Sequence, residues 1–308
     1  MGAGIVLVSG ATGLVGRRLV PELAERFASV RILSRSRGTD AAKVDRRIWD
    51  GIDPGAAALV GVDAVVHLAG EPLFGGLPTK SRLERARASR IASTRRIVER
   101  IAGMADGERP QVLVCASAVG YYGDRGEETL DEDAPPGTGF LAELCRDWEA
   151  EAAEAESLGV RVVRLRIGVV LAREGGALPL IRTPFALGLG GRLGDGQQYF
   201  PWIHVEDLVG AIRFALERSD LRGAVNGVAP ETVRNVELTR TLARLLHRPA
   251  LLPVPSFALR TLLGEMAGEL LGSRRVVPRR LLEAGFAFRH ATLETALAAE
   301  LDVQLPAR

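Results

Sequence analysis

Ser117, Tyr121 and Tyr122 lie together in "ASAVGYYG", residues 116 to 123. A serine hydroxyl and two phenols are groups that pass protons to and from a reacting oxygen, so this stretch is a candidate acid/base site. A phenol at its reference pKa of ~10 is a poor base near neutrality without a cation beside it. The rival reading is that the two rings only wall a pocket by packing. Glu71 and Glu143 are carboxylates that burial would tune for the same work, with solvation the simpler fate for Glu143.

A second chemistry is written in "VLVSGATGLVG", residues 6 to 16. Gly10, Gly13 and Gly16, with Thr12 and Leu14 between them, follow an apolar run and precede a helical pattern carrying Val15, Leu19 and Leu23. Gly10 suits a tight exit from a strand, Gly13 lets backbone approach a pyrophosphate, and Gly16 lets a helix pack close to a sheet. The unpaired amides of that helix start then face phosphates. A plain strand-to-helix turn is the alternative; the strand before and the helix after favour a dinucleotide site.

About 20 residues further on, where such sites read the adenosine ribose, the sequence runs "ILSRSR", residues 32 to 37. Ser34 offers a hydroxyl and Arg35 a guanidinium that can fork onto a 2′-phosphate, with Arg37 in reach. The expected cofactor is therefore NADP; a merely solvated arginine is the alternative.

The elements that must position these groups alternate through the first half. Apolar runs at 5–9, 30–34, 63–69, 111–117 and 160–166 are separated by amphipathic segments near 14–26, 80–103 and 140–158. That rhythm predicts an α/β domain with a doubly wound parallel sheet covered on both faces. Beyond residue 170 the pattern changes to a Gly-rich stretch, 187 to 202, a helix from about 206 to 218, and a mostly helical tail from about 235. The expected division is 1–170 for the cofactor, with later segments returning to it, and 171–308 for the substrate side, including a helical module from about 250. Phe185, Tyr199, Phe200 and Trp202 in the glycine-bearing stretch suggest a lid or pocket wall, or else a rigid turn cluster.

Composition bounds the remaining possibilities. With 308 residues, 47% hydrophobic content and 40 basic against 38 acidic side chains, the chain can bury a large core and carries no strong net field. The arginines of "KSRLERARASRIASTRRIVER", residues 80 to 100, interleave with apolar positions at helical spacing, which reads as a solvated helix face rather than a nucleic-acid patch. Neither a run of ~18 uncharged apolar residues nor a basic start with a cleavable apolar segment is seen, so no membrane span and a cytoplasmic location are expected. Cys115 and Cys145 read as core thiols, and no metal site is expected.

Taken together, "SGATGLVG", Trp49–Asp50, "DAVVHLAGE" (63–71), "ASAVGYYG", "FPWIHVEDLVGAI" (200–212) and "VNGVAPE" (225–231) resemble the extended short-chain dehydrogenase/reductases, which include nucleotide-sugar epimerases. "AVGYYGDRG", "FLAELCRDWEAEA" and "GVVLAREGGAL" narrow this to an atypical epimerase-like branch with a short C-terminal module of unassigned function. The resemblance covers most of the chain and implies a Rossmann-type fold, but fold does not fix the reaction. It implies that Asp50 meets the adenine amine, that Leu68, Ala69 and Gly70 line the cofactor, and that Arg90 and Arg166 reach its ribose, phosphates or nicotinamide end, surface ion pairs being the alternative for both arginines. It implies a small-molecule substrate and allows a homodimer through helices 80–103 and 140–158, although their charges suit intramolecular pairing equally. Ser117 matches the family's serine. The family's Tyr-x-x-x-Lys does not occur: Phe140 and Leu144 stand at those places, and neither carries a proton or a charge. His204 and Asp207 are expected to support and cap rather than react.

The sequence thus leaves two functions open: an oxidoreductase or epimerase-like enzyme moving hydride between NADP and a carbonyl or carbinol with an unconventional proton donor, or an NADP-binding sensor without turnover.

Overall fold

A computed structural model describes residues 4–38, 41–73 and 79–305. Its elements run β1 (Ile5–Ser9), α1 (Leu14–Arg26), β2 (Ser29–Ser34), β3 (Val44–Ile48), β4 (Val62–His67), α2 (Lys80–Ala102), β5 (Val112–Ala118), β6 (Thr129–Leu130), α3 (Phe140–Ala153) and β7 (Arg161–Ile167). There follow β8 (Val169–Ala172), β9 (Gly175–Gly176), α4 (Leu178–Ala186), β10 (Tyr199–Phe200), β11 (Trp202–His204), α5 (Val205–Glu217), β12 (Gly223–Gly227), β13 (Val233–Arg234) and α6 (Asn235–Leu246). The tail adds α7 (Ser256–Leu263), α8 (Ala267–Leu271), β14 (Arg275–Val276), α9 (Arg279–Glu283) and α10 (Leu293–Leu301).

Seven strands form one sheet in the order β12-β7-β5-β4-β1-β2-β3. β1 pairs in parallel with both β2 and β4, so successive crossovers leave β1 in opposite directions. That is the topological switch point of a doubly wound sheet, where ligands bind beyond the carboxyl ends of the strands. Val6, Leu7 and Val8 of β1 are wholly buried, the consequence of a strand covered on both faces. β3 goes beyond the five strands expected. Its sequence, Val-Asp-Arg-Arg-Ile, lacks an apolar run because it lies at the sheet edge, where charges also discourage foreign pairing.

The chain divides into two compact units. The first comprises 1–117, 144–165 and 209–225, and the second 118–143, 166–208 and 226–308. Within the first, the basic helix α2 meets the acidic helix α3: Arg87 pairs with Asp147 and Arg95 with Glu151. These arginines are matched inside one chain. Within the second, small sheets β11-β8-β9, β10-β13 and β14-β6 accompany the helices. Its core gathers Leu171, Leu178, Phe185, Trp202, Leu242 and Leu297. Phe185 and Trp202 are thus core side chains and not the pocket wall their glycine-rich context suggested, since their rings fill the space between α4, α6 and α10. Among the described residues no helix is long and apolar enough to cross a membrane.

Candidate functional site

Each glycine of the first loop answers a separate steric demand. Gly10 takes φ +71° and its carbonyl accepts from Gly13 N at 3.0 Å, closing the turn. A Cβ on Gly16 would lie 2.3 Å from that same carbonyl oxygen. Gly13 is the N-cap of α1 and brings no side chain to the helix start, so the first-turn amides, which have no intrahelical acceptors, meet no capping group. Thr12 is exposed and Leu14 half-buried beside them. A bare backbone cradle at a helix N-terminus is the donor set a pyrophosphate requires.

Behind this loop runs a hydrogen-bond chain that fixes its own proton positions. Ser9 Oγ accepts from Leu68 N and Ala69 N, each at 3.2 Å, and therefore donates to His67 Nδ1 at 2.6 Å. His67 Nε2 then carries the ring proton toward Ser93 Oγ at 3.0 Å, and Ser93 donates to the Arg90 carbonyl at 3.3 Å. Burial, with the Arg90 charge second, pushes the His67 pKa down to about 3, so the ring stays neutral. Residues 68 and 69 are thereby tied to β1. Arg90 itself donates to the Glu71 and Ala86 carbonyls and sits 5.4 Å over the Trp148 ring. It walls the backbone at Gly70, where a Cβ would fall 2.9 Å from its Cζ. Glu71 is half-buried and faces exposed Arg85 at 3.9 Å.

At the end of β2 the two expected contacts divide. The Ser34 hydroxyl is buried, donates to Ser36 O and accepts from Ser36 N, so it holds a local turn rather than facing a ligand. Arg35 is exposed, and among the described residues no acid pairs with it. Asp50 is exposed too, with Oδ1 accepting from Ile52 N and Asp53 N at 2.7 and 2.8 Å. Those bonds, the Ile52 amide first, hold its carboxyl below the usual range.

Ser117, near the carboxyl end of β5, is buried and donates to Glu149 Oε1 at 2.7 Å. Its proton is committed and only its lone pairs remain as acceptors. Leu144 is buried, and Glu143 is exposed to solvent. α3 therefore presents no acid/base group at residues 140 and 144.

In the second unit, the turn that follows β5 carries both phenols. Tyr122 is wholly buried; its hydroxyl proton faces Asn226 Oδ1 at 2.7 Å and Asp131 O at 2.9 Å, and its oxygen accepts from Arg166 Nη1 at 2.9 Å. Burial foremost pushes its pKa up to about 12. The Tyr122 hydroxyl is thus saturated and enclosed by its own unit. Tyr121 differs: it is half-buried, its ring lies 3.5 Å from the Arg166 Cζ, and no hydrogen bond engages its hydroxyl among the described residues. Arg166 is buried at the end of β7 and also donates to the Glu132 carbonyl at 3.2 Å. Glu132, Asn226 and Glu149 are participants that residue-type reasoning missed. Nothing in a lone glutamate or asparagine announces burial, although "VNGVAPE" had marked the stretch around Asn226.

His204 and Asp207 are placed as supports. Asp207 accepts from Arg289 N and His290 N at 2.7 and 3.0 Å, and the His204 ring stacks on His290 with centroids 3.8 Å apart. His204, Glu206 and His290 bring ligand-type atoms within 4.8 Å of one another. His204 Nδ1 accepts from Glu206 N, and Nε2 lies 2.9 Å from Glu300 Oε1 without hydrogen-bond geometry.

Residues 6–226 match the NAD dependent epimerase/dehydratase family, and residues 254–300 match a domain of unknown function, DUF1731. The chain is 42% identical over 299 residues to an Arabidopsis thaliana protein named as a chloroplastic homolog of epimerase family protein SDR39U1, covering 96% of this chain and 86% of the relative. It is 40% identical to epimerase family protein Mb2239 of Mycobacterium bovis, covering 96% and 97%. Among solved structures, human epimerase family protein SDR39U1 (isoform 2) with NADPH superposes with a TM-score of 0.86 at 34% identity, covering 97% of this chain and 99% of that one.

Proposed function

Because the chain belongs to the NAD dependent epimerase/dehydratase family, we propose that it is an NADP-dependent oxidoreductase or epimerase-like enzyme acting on a carbonyl, carbinol or nucleotide-sugar-like substrate. The first unit holds the cofactor and the second the substrate. NADP is supported by the backbone cradle at Gly10–Gly16, by exposed Arg35 in place of an acid, and by the NADPH bound to the human relative. Leu68, Ala69 and Gly70 line the cofactor, Asp50 serves the adenine through its second oxygen, and Arg90 holds the backbone beside Gly70.

The observation that carries the catalytic reading is the Arg166 guanidinium lying over the Tyr121 ring, with Cζ 3.5 Å from the ring centroid. Arg166 supplies from β7 a positive charge in place of the one that Leu144 cannot carry. Tyr121 is the proton donor to the substrate oxygen, and Tyr122 holds Arg166 in place. When bound, the nicotinamide gives or takes the hydride.

The test is NADPH oxidation, followed by loss of its near-ultraviolet absorbance, with phenanthrenequinone and aromatic aldehydes as probes. Tyr121→Phe is expected to lower kcat about 100-fold while leaving NADPH affinity unchanged, the scale of a lost general acid. Unaltered turnover would remove Tyr121 from the reaction. The second reading, an NADP-binding protein without turnover, is favoured by Phe140 and buried Leu144. It predicts tight NADPH binding with no probe reduced.

A further inference from the structure

The C-terminal stretch 275–280 is bonded to the groups that hold the Tyr121–Arg166 stack. β14 pairs in parallel with β6, and Val277 N donates to Leu130 O at 2.9 Å. Val276 packs in one cluster with Val119, Tyr122, Leu130 and Val228, against which Tyr121 also rests. Arg280 N donates to Glu132 Oε1 at 3.2 Å, and Asn226 N reaches the same oxygen at 3.1 Å. Asn226 Nδ2 donates to Val277 O at 2.9 Å. Arg279 and Arg280 both pair with Asp133.

These bonds set orientation as well as position. An asparagine amide presents either its oxygen or its nitrogen to a given neighbour. With Nδ2 held by the Val277 carbonyl, Oδ1 faces the Tyr122 hydroxyl, which then donates to it and keeps its lone pair for Arg166. Without the Val277 carbonyl the amide is free to turn and offer a donor to the phenol. Glu132 is the second anchor: its Oε1 ties residue 226 to residue 280, while its main-chain carbonyl holds Arg166. Burial raises the Glu132 pKa, and its buried Oε2 has no partner among the described residues. A neutral amide therefore fits there as well as a carboxyl.

We propose that the C-terminal module of unknown function is the positioning element of the proton-donor site: acting through Asn226 and Glu132, its residues 275–280 hold Tyr122 and Arg166 so that the Arg166 guanidinium stays against the Tyr121 ring. The inference rests on the reading of Tyr121 as the donor, and its test separates the two. Full-length protein is labelled with fluorotyrosine, whose three sites are assigned by single Tyr→Phe variants. Glu132→Ala and the near-isosteric Asn226→Asp are compared with Glu132→Gln.

The fluorine resonances of Tyr121 and Tyr122 are expected to shift or broaden in Glu132→Ala and Asn226→Asp. Turnover of phenanthrenequinone is expected to fall about tenfold or more, with NADPH affinity held within about twofold. Glu132→Gln, which keeps the acceptor oxygen, should rescue both readouts. Should Glu132→Ala fail to fold, Asn226→Asp alone decides. Unmoved resonances, or a Gln variant as damaged as the Ala variant, overturn the positioning role. Moved resonances with undiminished turnover uphold it and count instead against Tyr121 as donor.

Discussion

Acidification should destabilise this protein through His67 before most carboxylates titrate. The ring is wholly buried between Ser9 and Ser93, with a pKa pushed down to about 3 from the ordinary 6.5. The folded state thus keeps it neutral while the unfolded chain takes up a proton below 6.5. Stability from this group is complete above that value and is lost progressively as pH falls toward about 3. Between pH 7 and pH 5 the loss is about 2 kcal/mol, from about 1.4 kcal/mol per pH unit once the unfolded imidazole is charged. The assay is urea unfolding at pH 7, 6 and 5 of the wild type and His67→Asn. Asparagine keeps an acceptor for Ser9 but drops the link to Ser93, which costs about 1 kcal/mol at pH 7. It cannot titrate, so its stability should decline less on acidification by about 2 kcal/mol, and the order of the two proteins should reverse between pH 6 and pH 5. Carboxylates and the other three histidines are common to both and cancel in the difference. Parallel pH dependences would refute the buried neutral ring and the proton order assigned to its chain.

Arg35→Asp should weaken NADPH binding by about 10- to 100-fold, the worth of a charge-assisted hydrogen bond, and NADH far less; equal losses by calorimetric titration would count against the phosphate contact. Gly16→Val forces a Cβ to within 2.3 Å of Gly10 O and should cost about 1–3 kcal/mol together with NADPH affinity, read by thermal unfolding and the same titration. A Gly16→Val protein that binds NADPH normally would mean that the loop is not the phosphate cradle.

The parts legible in the sequence are those decided by neighbours along the chain. Continuous apolar runs placed β1, β2, β4, β5 and β7 to within two residues at each end, because a strand buried on both faces must be apolar throughout. The glycine loop was readable for the same reason: Gly10 and Gly16 meet each other across six residues. β3 escaped because an edge strand needs no such run. The local bonds of Ser34 were not legible either, because its hydroxyl turns back two residues on, an option short polar side chains always have. The groups around the phenols were out of reach for another reason. Asn226 and Glu132 are 94 residues apart, Ser117 and Glu149 are 32 apart, and a carboxylate reads as surface until the donors that permit its burial are known.

Phe140 and Leu144 place neither a phenol nor a cation at their two positions on α3, whose buried Glu149 holds Ser117, and on the proposed reading the cation beside the proton donor is Arg166. A lysine on α3 would be a mobile point charge, whereas Arg166 is buried at the end of a sheet strand with its guanidinium plane fixed by Tyr122 and the Glu132 carbonyl. A buried cation of that kind is destabilising unless surrounded by acceptors and a π face. Here Tyr122, Glu132 and Asn226 supply or orient those partners, and each is in turn held by the C-terminal stretch through Val276, Arg280 and Val277. On the proposed reading Arg166 and the C-terminal stretch are one arrangement: a rigid, buried cation needs a second layer of backbone to hold it. The two should therefore fail together: Glu132→Ala and Asn226→Asp should lower turnover in the direction of Tyr121→Phe, by about tenfold or more, while leaving the cofactor cradle of the first unit untouched.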